Sequence, residues 1–347
     1  MRCIAKFRKK IFVAGLLLLL AMLVGCQQSE QSSSTPAETS GNNEVNESAG
    51  DFPSKEIRMV VNYNVGGVVD LTARALAESI GKNDLLSQPI VVTNVPGSGT
   101  VDGLSQVKDA NPDGHFLTLH QTAFSTGYHM GILPWNFDQF ETIAQVAETP
   151  VYAVVREDAP WQTLEDLLND MRDRPGEVTV GVVALGSITH FAYEMLAEAA
   201  GVEGQIIATG APEQLSGIVG GPIDVVFSSV NQFFNEHNNG TVRILGIGST
   251  ERLDIVPDVP TFIESGYDIE ATMRLGVFGP QGMSDDVIAT LSSAIKQAVE
   301  SEDFLKFAEE SGVQVVYREK EEFEAVLHED DEIIKRIAEN IQQNQQK

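Results

Sequence analysis

From Phe52 onward the chain alternates between two hydrophobic periods. Short β-branched runs predict strands at Ile57–Tyr63, Pro89–Asn94, His115–His120 and Val151–Val155. Further runs do so at Val178–Val183, Gln205–Thr209, Ile223–Ser228, Val242–Gly246, Leu275–Phe278 and Val313–Tyr317. Between them apolar residues fall on one helical face, as Leu71, Ala75, Leu76 and Ile80 do. The same spacing predicts helices over about 100–109, Trp161–Asp173, Ser187–Ala200, Ser284–Glu300, Glu302–Ser311 and Lys320–Gln345. Strands that alternate with helices imply an α/β fold. The expected architecture is two mainly parallel sheets, one per lobe, with a ligand cleft between the lobes. No repeat of solenoid period is visible.

The N-terminus follows another pattern. Arg2, Lys6, Arg8, Lys9 and Lys10 precede an apolar run from Ile11 to Val24. That run is short for a membrane span and suits the core of a signal peptide. It ends in Leu23-Val24-Gly25-Cys26, which resembles the lipobox of bacterial lipoproteins. Cleavage after residue 25 would leave the Cys26 thiol at the new terminus for lipidation. Residues 26–51 have no aromatic side chain and almost no apolar ones, so they read as a disordered tether.

Composition narrows the function. The 347 residues carry 23 Lys+Arg against 50 Asp+Glu, a net charge of −27. Loss of the signal peptide, which is basic and has no acid, would take this to −32. So acidic a chain is a poor match for nucleic acid. The only cysteines are Cys3 and Cys26, so the folded body has no disulfide, no thiolate metal site and no cysteine nucleophile. The six histidines show no metal-ligand spacing, and no cofactor or metal is expected. Gly97-Ser98-Gly99 with Gly103 misses the dinucleotide spacing, and neither a Walker A nor a G-x-S-x-G sequence occurs.

Two glycine loops join a strand to a helix. Asn64-Val65-Gly66-Gly67 precedes the helix that starts near Asp70, and Gly186-Ser187-Ile188-Thr189-His190 opens another. A helix N-terminus has unpaired N–H groups and the positive end of the dipole, so each loop is a candidate anion site. Ordinary α/β turns have the same composition. His190 could donate to a ligand or cap its own helix. Gln121 and Thr122 follow the third strand, where ligands collect in open sheets, and His120 ends that strand.

These pieces resemble the extracytoplasmic solute receptors of tripartite tricarboxylate transporters, the Bug family. The resemblance covers about Pro53 to Ile341. It rests on Gly66-Gly67 with Asp70 and Ala73-Arg74, Val92-Thr93-Asn94-Val95-Pro96-Gly97-Ser98-Gly99 and Asn111-Pro112-Asp113-Gly114. Gly186-Ser187 with His190, Gly220-Gly221-Pro222-Ile223-Asp224 and Pro257-Asp258-Val259-Pro260-Thr261 follow in order. The resemblance implies a type II-like periplasmic-binding-protein fold that closes on a small organic carboxylate. It implies a receptor and not an enzyme, a monomer, and large and small membrane permease subunits as partners. Lobe 1 would span 52–150 and lobe 2 151–273. Residues 274–347 would form the hinge return and pack back on lobe 1. A lipoprotein that feeds a sensor kinase is the alternative, with an α/β hydrolase or transferase behind it.

Departures bear on the ligand. Val68 stands where a third loop Gly is common, and Ala208 where Tyr is usual. Ser228 replaces an Asp that would hold an amino group, which disfavours an amino-acid ligand. Arg274 replaces a Trp. Arg grips carboxylates bidentately, so Arg274 is a candidate for a distal ligand carboxylate. Pairing with Glu270 or another acid is the alternative.

Overall fold

The computed structural model describes residues 52–229 and 232–344. The signal peptide, Cys26 and the tether lie outside the described residues. In chain order the first half runs β1 (Ile57–Val61), α1 (Val68–Lys82), β2 (Ile90–Asn94), α2 (Val101–Lys108), β3 (Phe116–Gln121), α3 (Ala123–His129) and β4 (Glu141–Pro150). There follow β5 (Tyr152–Arg156), α4 (Leu164–Asp173), β6 (Thr179–Val182), α5 (Ile188–Ala200), β7 (Gln205–Ala208), α6 (Ala211–Gly220), β8 (Val225–Ser228), α7 (Gln232–Asn238) and β9 (Val242–Ile247). The chain ends with β10 (Thr272–Gly279), α8 (Asp285–Val299), α9 (Glu302–Ser311), β11 (Gln314–Glu319) and α10 (Lys320–Asn344). No described helix is long and apolar enough to cross a membrane.

The strands form two sheets, ordered β11-β4-β10-β3-β1-β2 and β7-β6-β8-β5-β9. Each is built on a parallel triplet, β2-β1-β3 or β7-β6-β8. Antiparallel strands extend each triplet, so both sheets are mixed. Strand β1 is buried on both faces. Ile57, Met59 and Val61 pack with Leu76, Ile80 and Leu291, while Val60 packs oppositely with Leu104, Phe124 and Phe278. This is why its sequence is a continuous apolar run and not an alternating one.

Strand β4 was not expected from the pattern. Its sequence ETIAQVAETP mixes polar and apolar residues without clean alternation. The reason is that buried Gln145 and half-buried Glu148 have dedicated partners. The Arg318 guanidinium donates to Gln145 Oε1 at 2.7 Å, and the Arg274 guanidinium donates to Glu148 at 3.0 Å. Helices α6 and α7 carry too few periodic apolar positions to stand out in the sequence.

The chain passes between the sheets at two places, from β4 to β5 and from β9 to β10. The two connections lie side by side. Val151 N–H donates to the Ala271 carbonyl, Gly248 N–H to Val151 and Ala271 N–H to Gly248, each at 2.8 Å. Thr122 is buried here, not in the cleft. Its hydroxyl accepts Arg274 N–H at 2.9 Å and donates to the Thr272 carbonyl at 3.4 Å, prolonging the β3–β10 pairing.

Arg274 also sits beside these connections, which corrects the expectation that it reaches a ligand and bears out the alternative, a pairing with Glu270. Only 4% of its side chain is exposed. Its Nε donates to Asp330 at 2.8 Å, Nη1 to Glu148 at 3.0 Å and Nη2 to Glu270 at 2.6 Å. The guanidinium is filled by acids from β4, α10 and the second connection, with no face left for a ligand carboxylate. Burial raises the Asp330 carboxyl above its ordinary range despite Arg274.

Helix α10 packs on both halves. Ile334, Ile337, Ala338 and Ile341 cover Phe191 of α5. Asp331 accepts from Asn136 at 2.8 Å and pairs with His129 at 2.9 Å. Arg274→Met leaves the three carboxylates without their cation. Chemical unfolding should show a loss of about 3–5 kcal/mol.

Candidate ligand-binding cleft

The middle strand of each parallel triplet leads into a glycine loop and then a helix. Strand β1 leads through residues 62–67 to α1, and β6 through 183–187 to α5. In each sheet the strand order reverses beside that strand, and crevices open at such switch points outside the carboxyl ends.

The two loops share one construction. Gly66 and Gly186 have φ of +86° and +79°, in the region that favours glycine. The next residues, Gly67 and Ser187, are extended N-caps with φ/ψ of −76°/165° and −82°/164°. The residue four positions after each glycine turns back to it. Asp70 accepts the Gly66 N–H at 2.8 Å, and His190 Nδ1 accepts the Gly186 N–H at 3.0 Å. Both side chains are buried beneath their loops. Asp70 and His190 are therefore loop holders and line neither cavity described below. Burial pushes the Asp70 carboxyl up, but Arg74, the Gly66 N–H and Asn94 together hold it below its usual range.

Two joined cavities of about 780 and 290 Å³ lie over these loops, sharing Tyr63, Gln121, Val183, Ser229 and Met273. Gly66, Gly67, Val68 and Val69 bring the start of α1 to the larger cavity. Gly186, Ser187 and Thr189 bring the start of α5 to the smaller. Ser187 caps α5 by accepting from His190 N–H, and its hydroxyl also donates to the Ala184 carbonyl at 2.7 Å. Thr189 Oγ1 accepts Val183 N–H at 3.0 Å. These hydroxyls shape the loop as well as line it.

Gln121 is the polar centre of the first sheet's side. Its Oε1 accepts Ala123 N–H at 3.0 Å and its Nε2 donates to Tyr63 at 3.0 Å. His120 lies behind them. Its Nδ1 donates to the Gln121 carbonyl at 2.9 Å, which leaves Nε2 to accept the Tyr63 hydroxyl at 3.4 Å. Burial lowers the His120 pKa from 6.5 to about 4 and raises that of Tyr63 well above its usual range. The ring is thus neutral, with one fixed tautomer.

The expected residues divide clearly. Gly66, Gly67, Gln121, Gly186, Ser187 and Thr189 meet at the cleft. Asn64 and Val65 are exposed on the outer turn and line neither cavity. Ser228 is buried at the end of β8, and its neighbour Ser229 lines the cleft instead. Tyr63 closes a predicted strand run and could have been found from that position. Thr100, which lines the smaller cavity, could not. It is a non-glycine residue at φ +79°, and its Oγ1 has no partner among the described residues. Helices α1 and α5 direct partial positive charge at the cleft. No described Lys or Arg lines it, and no described cluster could hold a metal.

His120 makes stability depend on pH. Its folded pKa lies below the unfolded one, so the unfolded chain binds the proton first. The contribution is complete above pH 6.5 and is lost as pH falls towards 4. Urea unfolding across that window should show a loss of about 3 kcal/mol in the native chain that His120→Gln lacks.

A profile described as tripartite tricarboxylate transporter family receptor, TctC, matches residues 72–343. A UPF0065 protein of Bordetella pertussis is 28% identical over 267 residues, 76% of this chain and 82% of that protein. Protein BugT of the same species is 27% identical over 276 residues, 78% of this chain and 84% of its own. The crystal structure of a TctC solute-binding protein from Polaromonas superposes with a TM-score of 0.75 at 28% identity. It covers 83% of this chain and 99% of that one. With the two-sheet fold and paired helix termini, these matches establish that the chain belongs to the tripartite tricarboxylate transporter receptor family, the Bug family of periplasmic solute-binding proteins.

Proposed function

We propose that this chain is a lipid-anchored extracytoplasmic receptor. It captures a small organic carboxylate between its lobes and delivers it to the large and small membrane subunits of a tripartite transporter. The observation that carries the reading is the convergence of the α1 and α5 N-termini, one from each sheet, on a single cleft. Backbone N–H groups and dipoles there compensate an anion without a cationic side chain.

The residues assigned to the ligand are Gly66, Gly67, Gln121, Gly186, Ser187 and Thr189. Residues 52–150 and 151–273 act as the lobes. The return through 274–347 and the adjacent connections act as the hinge, and the ligand stabilises closure by touching both loops. Residues 1–25 are removed as a signal peptide, Cys26 carries the lipid, and residues up to 51 are the tether. The family is one of receptors, which supports reading the chain as a receptor and not an enzyme.

A thermal-shift panel of carboxylates, neutral sugars and divalent metals tests the reading. Carboxylates should raise the melting temperature in proportion to RT ln(1 + [L]/Kd), and the others should not. A response to sugars or metals alone overturns it. Gly67→Ala is the matching variant. Gly67 has an ordinary φ, and an added Cβ meets only the Asn64 carbonyl, at 3.6 Å. Stability should change by no more than about 1 kcal/mol, the entropy gain of Ala being offset by the loss of a favoured N-cap residue, while carboxylate affinity falls about tenfold as the methyl crowds the helix terminus.

A further inference from the structure

We infer that buried His120 is a positioning residue for the ligand. By taking the hydrogen of the Tyr63 hydroxyl it holds the Gln121 amide so that its second N–H serves the cleft. This rests on the receptor reading above and adds to it a residue that lines neither cavity.

An imidazole is a costly choice at this place. His120 is fully buried, and its ring lies 4.2 Å from that of Phe124, centroid to centroid. Phe124 in turn meets Phe140 at 4.9 Å and Phe278 at 5.1 Å. A phenyl ring would suit these aromatic neighbours without taking two ring nitrogens out of water. The nitrogens therefore serve something other than packing. Their described partners are the Tyr63 hydroxyl and the Gln121 carbonyl, and both of those residues line the two cavities.

The hydrogen bonds around the ring run in one direction. A carbonyl only accepts, so Nδ1 carries the proton and Nε2 is bare. Tyr63 gives its one hydrogen to Nε2, and towards Gln121 Nε2 it is left as an acceptor. The other end of the Gln121 amide is fixed too, because Oε1 accepts the Ala123 N–H. An amide nitrogen has two hydrogens, and the second has no acceptor among the described residues. It is a donor ready for a carboxylate oxygen. The path leaves Gln121 by its side chain, crosses Tyr63 and His120, and returns to the Gln121 backbone.

Loss of the acceptor at position 120 breaks this path. The Tyr63 hydroxyl has two described partners, so its hydrogen would turn to the Gln121 amide nitrogen, which is itself a donor. Two donors cannot share one contact, and the amide swings away from its place.

His120→Phe and His120→Gln separate packing from hydrogen bonding. The first keeps a ring and loses both nitrogens. The second loses the ring and brings an amide oxygen to the place of Nε2. Isothermal titration of the purified full chain with acetate, succinate, adipate and citrate reads the effect. For the acid that binds most tightly, His120→Phe should weaken affinity about tenfold, while His120→Gln stays within about threefold of the native chain. In a Tyr63→Phe background, His120→Phe should cost no further affinity, since both changes break the same path. Retained or raised affinity in His120→Phe, or an equal loss in both variants, would overturn the inference and leave the receptor reading intact. Nitrogen NMR of the His120 ring at neutral pH needs no ligand. Nδ1 should carry the proton and Nε2 none, and the opposite tautomer would also overturn the inference. No binding by any of these acids would overturn both.

Discussion

One guanidinium gathers the segments that join the two sheets. Arg274 draws together β4, the connection that precedes β10, and α10 through Glu148, Glu270 and Asp330. The two connections are already joined by hydrogen bonds among Val151, Gly248 and Ala271. The ion cluster adds a non-backbone lock beside them. Taking these acids out of water is costly, and removing one partner costs more than the cluster contributes in net stability. Its value lies in specificity of position. It fixes where β10 enters the first sheet, and so where Met273 and the end of β3 stand at the cleft floor.

Given that placement, the ligand loops are made ready without any ligand. Gly66 and Gly186 give their N–H groups to Asp70 and His190, at the same distance in sequence and with nearly the same backbone. The two loops solve one geometric problem with different chemistry, a carboxylate in one and an imidazole in the other. The negative charge under the first loop is offset by Arg74, which contacts Asp70 at 3.0 Å. The helix starts that follow these loops line the cleft.

The sequence made the parallel triplets legible, because β1 and β6 are buried on both faces and read as unbroken apolar runs. It also located both glycine loops. It could not place Asp70 and His190, the second of which it left between ligand and helix cap. A polar residue one turn into a helix near a glycine can face the ligand or fold back on the loop, and only three-dimensional geometry separates these. For Arg274 the alternative of pairing with Glu270 holds, but its other two partners were hidden. Glu148 and Asp330 lie far from it in the chain, and no spacing rule joins them.

The C-terminal helix changes what closure can mean. Helix α10 rests on Phe191 of α5 with one stretch and holds His129 and Asn136 near α3 with another. Arg336 adds an exposed tie to Glu198 of α5. Helix α5 is thus gripped at its body while its first turn lines the cleft. If the halves move as proposed, α5 cannot leave α10 without breaking these contacts. A displacement of α5 on ligand capture would then be felt by α10. In the proposed receptor, a permease that touched the outer face of that helix would read whether the cleft is loaded without touching the ligand.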